Sequence, residues 1–358
     1  MPTIDSDAHV VESERTWDFM EPADQKYRPR LVKPNGEAAT QYWMVGNHVR
    51  GLARSVLTSR QYQELGRVGN RMMETTQEAR EMEDVGVRLR SMDDLGIDVQ
   101  VLYPTIFISL VSDRVNEETA ICRGWNRWLA DIWSQGQGRL RWVCVLPLLS
   151  DIPTALEELR WCRDHGAVGV FLRPIEGNRT LYDPYFYPLY EQMSDLSMMV
   201  GMHVALANPE MQDLLSQYHT GGGFWPLRLS VVGAFHSLIC SEVPALFPNL
   251  RWGFIEASSE WVPYTLKHLV RRFAQRGQEL PRYPMNDWNT WVTVQVDDNV
   301  PYVLDYAGED SFVVGTDYGH NDPSTELNAL QILKDRTGIT AEQYRKIVDD
   351  NARALYGL

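Results

Sequence analysis

Short apolar runs alternate with longer segments of helical periodicity along almost the whole chain, and this alternation constrains the fold more than any other feature. Several of the runs are continuously hydrophobic, which is typical of strands buried on both faces of a parallel sheet. An apolar run followed by an amphipathic segment is the unit of β/α folds. Eight runs predict eight strands, at residues 3–7, 98–103, 140–146, 167–172, 198–204, 250–256, 291–296 and 311–315. Their number and order predict an α/β fold of the (β/α)8 or TIM-like barrel type.

The segments between these strands carry the predicted helices. They cover residues 117–135, 152–165, 184–196, 229–246, 261–275 and 324–336, and residues 340–354 form a closing helix with Thr340 as its N-cap. Residues 10 to about 90 depart from the pattern, and we interpret them as a long insertion after strand one. A chain of 358 residues with 44% hydrophobic residues can fill one large core. We therefore expect residues 1–358 to form a single barrel domain, with the insertion over its C-terminal rim.

The composition limits which binding partners and which cellular compartment we expect. The formal net charge of −14 argues against nucleic acid, because phosphate binding needs a basic face. No apolar run reaches the roughly 20 residues of a membrane span, and the N-terminus lacks the features of a signal peptide. The four cysteines form no CxxC pair and are expected to be buried free thiols in a reducing compartment. We expect a soluble, cytoplasmic protein.

Polar residues with metal-binding chemistry follow several predicted strands, at the barrel face where enzymes of this fold place their active sites. Asp7 and His9 are two residues apart, so both side chains point to the same face of an extended strand. Each residue alone is a weak indication, since a single Asp or His near a strand end is usually a hydrogen-bonded loop residue. Imidazole and carboxylate together suit zinc or a similar divalent metal. The convergence comes from Asp7 and His9 at strand one, His203 at strand five, Glu256 at strand six, and Asp317 and His320 at strand eight.

These motifs resemble the amidohydrolase superfamily, and within it the branch of amidohydrolase-related enzymes typified by aminocarboxymuconate-semialdehyde decarboxylase. The resemblance covers nearly the whole chain. It is carried by DSDAHVVE at the start, RLRSMDDLGIDVQVLYP around strand two, GMHV at strand five, VPALFPNLRWGFIEASSEWVP around strand six and GTDYGHNDP at strand eight. The opening and closing motifs are specific for this superfamily when they occur together, whereas the middle motifs mostly indicate the fold.

The resemblance implies one divalent metal, for which we favour zinc with manganese or iron as alternatives, held by Asp7, His9, His203 and Asp317. The family often has His or Glu at the position of Asp7, so this ligand is a permitted variation. A larger departure lies in strand six, where decarboxylase members typically have a catalytic His followed by glycines. This chain has Glu256 followed by Ala-Ser-Ser. Glu256 is therefore interpreted either as a general acid/base or as an additional metal ligand.

Proton transfer at such a site needs a carboxylate or an imidazole within hydrogen-bond reach. Glu256 and Asp317 are the first candidates for catalysis. His236 is a further candidate, with packing on a helix face as the alternative interpretation. His320 follows strand eight closely and is expected to orient Asp317 or to contact the substrate.

A substrate carboxylate would favour an arginine that binds it in a bidentate manner. Arg173 stands at the end of strand four, and Arg67 and Arg71 lie one helical turn apart in the insertion. A solvated helix face is the alternative for the second pair. Among the 12 tryptophans, Trp225 lies in a segment expected near the rim, where it could contact a planar substrate.

Three functions remain open at this point. The first is a metal-dependent hydrolase acting on a small cyclic or aromatic compound through an activated water. The second is a metal-dependent, non-oxidative decarboxylase of an aromatic or muconate-type acid. The third is a barrel that binds a ligand without catalysis. The Glu at strand six favours hydrolysis over decarboxylation. The resemblance also implies a homo-oligomer, for which we expect a homodimer.

Overall fold

The chain folds around eight parallel strands that lie side by side in the order of the sequence. The computed structural model describes residues 2–33, 40–216 and 223–358. Each strand pairs in parallel with the next one along the chain, which confirms the predicted (β/α)8 barrel. The strands are β1 (Ile4–Val10), β2 (Val99–Pro104), β3 (Leu140–Cys144), β4 (Ala167–Leu172), β5 (Met199–His203), β6 (Trp252–Ile255), β7 (Thr290–Val294) and β8 (Phe312–Val314).

The barrel closes between β8 and β1 through the residues that carry the candidate chemistry. The backbone N–H of Asp317 donates to the carbonyl of Asp7, and that of His9 donates to the carbonyl of Tyr318, both at 2.8 Å. The buried carboxylate of Asp5 accepts hydrogen bonds from Thr316, at 2.9 Å from the backbone nitrogen and 2.6 Å from the hydroxyl oxygen. Closure of the barrel and the position of β1 side chains are therefore linked.

The helices surround the strands, and most of them match the predicted segments. Their bounds are Val85–Leu95, Val115–Gln135, Ile152–Asp164, Tyr187–Asp195, Pro209–Ser216, Ser230–Cys240, Val243–Leu246, Trp261–Gln275, Pro284–Asp287, Val300–Ala307, Ala329–Lys334, Ala341–Arg345 and Asn351–Tyr356. Six-residue and five-residue π-helical segments, Phe224–Leu229 and Lys346–Asp350, precede two of them. The predicted N-cap is confirmed, since the Thr340 side chain accepts a hydrogen bond from the backbone N–H of Gln343. No helix in the described ranges is long and apolar enough to cross a membrane.

The helix predicted over residues 324–336 is shorter than expected because its first residues bind elsewhere. Ser324 donates to Glu256 at 2.7 Å, and Thr325 donates to Asp317 at 2.6 Å. The backbone N–H of Glu326 donates to the carbonyl of Thr316 at 3.0 Å. These side chains and backbone groups form hydrogen bonds with residues at the C-terminal ends of the strands. The helix therefore begins only at residue 329.

The insertion after β1 contains a small sheet that the sequence did not predict. Its three antiparallel strands are Arg30–Val32, Thr40–Val45 and His48–Ser55, and the helices Ser59–Gly69 and Gln77–Arg80 follow them. Alternate residues of the middle strand are buried. Trp43 from this strand packs edge to face on Trp17, with ring centroids 5.8 Å apart, and both belong to the main hydrophobic core.

Gly315 is required by the close approach of β8 to β1. A Cβ atom at this position would lie 2.1 Å from the Cβ of Asp7 and 2.9 Å from its backbone nitrogen. We expect Gly315→Ala to lower the free energy of unfolding by about 1–3 kcal/mol, the usual cost of overpacking a core. It should also weaken metal binding, since Asp7 has to move. Urea unfolding and metal analysis measure the two effects.

Gly233 provides the matched control for this substitution. It lies inside the helix Ser230–Cys240, and a Cβ added there meets no atom within 4 Å. Gly233→Ala should raise stability by up to about 1 kcal/mol through helix propensity and leave metal binding unchanged. Equal stability and metal affinity in Gly315→Ala and the wild type would contradict the packing argument.

Candidate metal centre

The C-terminal ends of four strands bring six buried metal-binding side chains together. Within each of two overlapping groups of four, one ligand atom per residue lies within 4.8 Å of all the others. One group contains Asp7, His9, His203 and Glu256, and the other contains His9, Glu256, Asp317 and His320. All six side chains are buried, with exposed fractions of 9% or less. The structure therefore brings together all four predicted metal ligands and two of the predicted catalytic or substrate-binding residues.

The two imidazoles of His9 and His203 are oriented by backbone carbonyls. Nδ1 of His9 lies 3.1 Å from the carbonyl oxygen of Pro104, and Nδ1 of His203 lies 3.1 Å from that of Val204. In the neutral rings, each Nδ1–H donates to its carbonyl, which leaves both Nε2 atoms as lone-pair donors to a metal. These two Nε2 atoms lie 3.1 Å apart. Two lone pairs that face each other in this way fit a shared cation.

Carboxylate oxygens surround the same two nitrogens. Oδ1 of Asp7 lies 3.3 Å from Nε2 of His203 and 3.5 Å from Nε2 of His9. Oε2 of Glu256 lies 3.3 Å from Nε2 of His203, and Oδ1 of Asp317 lies 3.6 Å from Nε2 of His9. Oε2 of Glu256 and Oδ1 of Asp317 are buried and accept no well-aligned hydrogen bond from the described residues, although Nδ1 of His320 lies 2.7 Å from Oδ1 of Asp317. Because unpartnered buried carboxylate oxygens are costly, this donor set fits a divalent cation.

Two of the acids sit on strained backbone. Glu256 has φ of 70° and Asp317 has φ of 52°, both in the left-handed region that non-glycine residues seldom adopt. The backbone N–H of Glu256 donates to the hydroxyl of Thr293 at 2.6 Å. Ser324 and Thr325, described above, hold the outer carboxylate oxygens. The surrounding contacts thus maintain an unfavourable backbone conformation that directs both carboxylates inward.

Burial and mutual repulsion set the pKa values of these groups. Burial, followed by the charge of Asp322, raises the pKa of both Glu256 and Asp317 well above their ordinary ranges. Burial acts in the same direction on Asp7, but the hydrogen bonds and charges of His203 and His9 outweigh it and lower the pKa of Asp7. Burial and the neighbouring His320 lower the pKa of His9. Burial lowers the pKa of His203, but Asp7 and Glu256 outweigh it and raise that pKa. Without a cation, the crowded acids are therefore offset by protons on the cluster itself.

His320 lies directly beside the cluster. Its ring stacks on that of His9 with centroids 3.7 Å apart, and its Nδ1 lies 2.7 Å from Oδ1 of Asp317. The Thr105 hydroxyl donates to the carbonyl of Val10 at 2.8 Å, so it accepts from Nε2 of His320 at 2.9 Å. This contact orients the ring and turns Nδ1 towards Asp317. Only the doubly protonated ring can donate from Nδ1, whereas in the neutral ring Nδ1 and Oδ1 of Asp317 both offer lone pairs, as two members of a metal-binding group do.

The other predicted residues lie further from the cluster. The guanidinium of Arg173 is buried and bound to Glu176, with Nη2 of Arg173 2.6 Å from Oε2. Arg67 is exposed on the helix Ser59–Gly69. Nη2 of Arg71 lies 3.0 Å from the exposed carboxylate of Asp297, in the loop after β7. His236 contacts His268 at 2.9 Å, between the helices Ser230–Cys240 and Trp261–Gln275. Among the contacts of the described residues, none joins Arg67 or His236 to the metal-binding side chains.

The burial of the Glu118 carboxyl group, which lies close to Arg173, can be tested through the pH dependence of the free energy of unfolding. Its buried carboxylate accepts a hydrogen bond from the backbone N–H of Leu149 at 2.8 Å, and burial raises its pKa from 4.5 to about 8. Unfolded chains lose this proton near pH 4.5, whereas the folded protein keeps it until about pH 8. Glu118 therefore lowers stability as pH rises through this interval, by up to about 1.4 kcal/mol per pH unit.

We expect Glu118→Gln to remove this contribution. The variant should gain stability relative to the wild type between pH 5 and pH 8, as measured by urea unfolding at several pH values. A stability difference between the two proteins that does not change with pH would contradict the burial of an uncharged Glu118.

Sequence reasoning missed a buried network below the cluster. Arg88 is fully buried, and both its Nη atoms donate to the carbonyl of His9 at 3.2 Å. Its Nε donates to Gln100 at 2.7 Å, and Gln100 donates to Asp5 at 2.8 Å. The spacing of Asp5, Asp7 and His9 at every second residue was a signal for Asp5. The motif around strand two contained Arg88, but nothing in the sequence alone tied it to β1.

The family comparison agrees with this geometry. The model of the family described as "Amidohydrolase" matches residues 4–358, which is nearly the whole chain. The chain belongs to the amidohydrolase family. It is therefore an enzyme of the amidohydrolase superfamily, with relatives that include decarboxylases and a hydratase.

Three relatives illustrate the range of this family. An amidohydrolase of Mycobacterium avium subsp. paratuberculosis K-10 has the same fold, with a TM-score of 0.81 at 18% identity over 100% of this chain and 98% of that chain. The 5-carboxyvanillate decarboxylase of Novosphingobium aromaticivorans, solved with manganese and 4-hydroxy-3-methoxy-5-nitrobenzoic acid, has a TM-score of 0.69 at 16% identity over 100% and 96%.

The third relative is the 2-keto-4-carboxy-3-hexenedioate hydratase of Sphingobium sp., which is 26% identical over 189 residues. That alignment spans about half of each protein, 49% of this chain and 52% of the hydratase. The similarity to the two solved structures shows a shared fold only. The reaction of this amidohydrolase therefore depends on the chemistry of its own site.

Proposed function

We propose that this amidohydrolase is a metal-dependent enzyme that adds water to a small cyclic or aromatic carboxylate, hydrolysing it where the attacked bond can be cleaved. Asp7, His9, His203 and Asp317 would hold one divalent cation, with zinc preferred and manganese or iron as alternatives. The observation that carries the proposal is the pair of Nε2 atoms 3.1 Å apart, with carboxylate oxygens of Asp7, Glu256 and Asp317 3.3 to 3.6 Å from them. A cation bound there would supply a Lewis acid that lowers the pKa of a coordinated water to about 7.

Glu256 is the proposed proton carrier of the reaction. Its Oε1 accepts a hydrogen bond from Ser324 at 2.7 Å, which leaves Oε2 directed at His203 and free to exchange a proton. Burial raises the pKa of Glu256, which favours a carboxyl group that can take up a proton and return it to the product. His320 would orient Asp317. We give His236 no step, since its ring contacts His268 on the outer helices.

Non-oxidative decarboxylation is the second candidate. It is supported by the same buried Glu256, which as an acid could protonate the carbon from which CO2 departs, and by the fold shared with the Novosphingobium decarboxylase. In this reaction no oxygen from water enters the product, so the two candidates differ in an isotope measurement.

The test uses protein stripped of metal by a chelator and reloaded with zinc or manganese. A panel of lactones, cyclic amides, unsaturated dicarboxylic acids and aromatic acids is incubated with this protein in H2¹⁸O. Label from water in the organic product supports addition of water, whereas CO2 release with no label in the organic product supports decarboxylation. Equal turnover by the metal-free protein would refute both candidates, because each requires the cation.

We also propose that the enzyme is a cytoplasmic homodimer. The tryptophan-rich helix Val115–Gln135 does not supply the interface, since Trp125 and Trp128 are buried in the core. Phe224 and Trp225 are more than half exposed and provide an alternative apolar contact surface. Light scattering after size exclusion measures the mass, and a monomer at all concentrations would contradict the proposal.

A further inference from the structure

Arg228 reaches the candidate metal centre from the same segment as Trp225, and sequence reasoning did not select this arginine. It lies in the six-residue π-helical segment Phe224–Leu229, just before the helix Ser230–Cys240. Its Nη1 donates to the carbonyl of Glu256 at 3.2 Å and to the amide oxygen of Gln295 at 3.4 Å. Its Nη2 donates to the hydroxyl of Ser324 at 3.0 Å. Isolated π-helical turns are rare in proteins, and those that occur are often found at functional sites.

A short chain of contacts joins this guanidinium to the proposed proton carrier. Ser324 accepts a hydrogen bond from Arg228, and its hydroxyl oxygen lies 2.7 Å from Oε1 of Glu256 and 2.5 Å from Oδ1 of Asp322, the two acceptors that share its one proton. Oε2 of the same Glu256 lies 3.3 Å from Nε2 of His203. Arg228 is therefore one side chain away from the proton carrier and two away from a metal ligand.

The charge of Arg228 lacks a carboxylate partner. Its partners are a backbone carbonyl, an amide oxygen and a hydroxyl, and none of the ion pairs within residues 2–33, 40–216 and 223–358 includes it. Arg173 differs, since Glu176 neutralises it in a bidentate contact. A half-buried cation without a counter-ion is unfavourable. Because the guanidinium carries five N–H groups, it can bind a further anion beside its three described contacts.

We propose that Arg228 binds a carboxylate of the substrate, and that the substrate is accordingly a dicarboxylate with its second polar group at the cation. The proposal rests on the function proposed above and narrows its substrate class. A planar guanidinium matches a carboxylate through two parallel hydrogen bonds. It also supplies a positive charge near the cluster, in a protein whose net charge of −14 opposes the approach of an anionic substrate.

The experiment measures the binding of isophthalate and benzoate to the zinc-loaded protein by isothermal titration calorimetry. The wild type is compared with Arg228→Gln and Arg228→Lys. Arg271→Gln, at an exposed position of the helix Trp261–Gln275, is the matched control. We expect the wild type to bind isophthalate at least about tenfold more tightly than benzoate, as a second charge-assisted contact provides.

Arg228→Gln should weaken isophthalate binding by about 10- to 100-fold and change benzoate binding by less than about threefold. Arg228→Lys should be intermediate, because a point charge replaces the planar fork. Arg271→Gln should match the wild type, and the zinc content should be the same in all four proteins.

Three results would overturn the proposal. They are no preference for isophthalate in the wild type, no isophthalate binding at all, and equal weakening of both ligands in Arg228→Gln, which would indicate a purely structural role at Glu256 and Ser324. Failure of the proposed function gives a different result. In that case the preference for isophthalate and its loss in Arg228→Gln persist, while the reloaded protein shows neither label uptake nor CO2 release.

Discussion

Replacing Asp317 by Asn is expected to lower the affinity for zinc or manganese by more than about 100-fold, since even changes to residues that only orient metal ligands cost about 10- to 100-fold. Asn keeps the shape of Asp317 and the hydrogen bond from Thr325, but it removes the negative charge from Oδ1, which lies 3.6 Å from Nε2 of His9. Turnover should fall by at least about 10³-fold, corresponding to several kcal/mol of lost Lewis-acid stabilisation.

The measurement is elemental analysis after chelation, reloading with a limiting amount of metal and gel filtration. We expect about one cation per wild-type chain, as the four-ligand set implies, and a small fraction of this in the variant. Asp195→Asn, at an exposed helix end, controls for the loss of one acidic residue and should retain the wild-type metal content. An unchanged metal content in Asp317→Asn would exclude Asp317 as a ligand.

The same substitution should leave the fold intact, which separates ligand loss from unfolding. The contact that closes the barrel at this point is the backbone hydrogen bond from Asp317 to Asp7, and a side-chain change does not remove it. Thermal unfolding of the metal-free proteins should therefore differ little. In contrast, added zinc should raise the unfolding temperature of the wild type only, because binding to the folded state alone stabilises it.

Much of this architecture follows from the local pattern of the sequence. Strands buried on both faces read as apolar runs, so the positions of β1 to β8 could be predicted to within a few residues. The carboxyl ends of parallel strands meet at one face, and for that reason Asp7, His9, His203 and Asp317 could be placed together before any coordinates. The alternation of side chains along β1 was sufficient to direct Asp7 and His9 to the same side.

The parts that could not be predicted depend on contacts between distant segments. Arg173 looked available for a substrate because its partner Glu176 lies in a two-residue strand, Ile175–Glu176, that pairs with Arg179–Thr180 and that the sequence did not predict. Arg228 was overlooked, since its contacts with Glu256, Gln295 and Ser324 come from three different strand-to-helix connections. The sheet in the insertion could not be predicted for the same reason. The alternating burial of its middle strand depends on the packing of Trp43 on Trp17 from a distant segment.

Glu256→Gln is expected to reduce turnover by about 10²- to 10⁴-fold, the usual contribution of a general acid or base. Gln retains the hydrogen bond from Ser324 and the size of the side chain, but it cannot exchange a proton through Oε2. Four donors remain for the metal in Asp7, His9, His203 and Asp317, so we expect the metal content to stay near one per chain. Kinetics on the substrate identified by the panel, combined with elemental analysis of the same samples, measure both quantities.

The two interpretations of Glu256 predict different combinations of these results. A general acid/base gives slow turnover at full metal occupancy, and the loss should not be relieved by excess zinc. A metal ligand gives reduced occupancy, with turnover that recovers as zinc is added. Glu260→Gln, four residues along the chain at an exposed position, should change neither quantity. Because Ser324 holds Oε1 of Glu256 and the four-ligand set is complete without this carboxylate, full occupancy with slow turnover is the result that we expect.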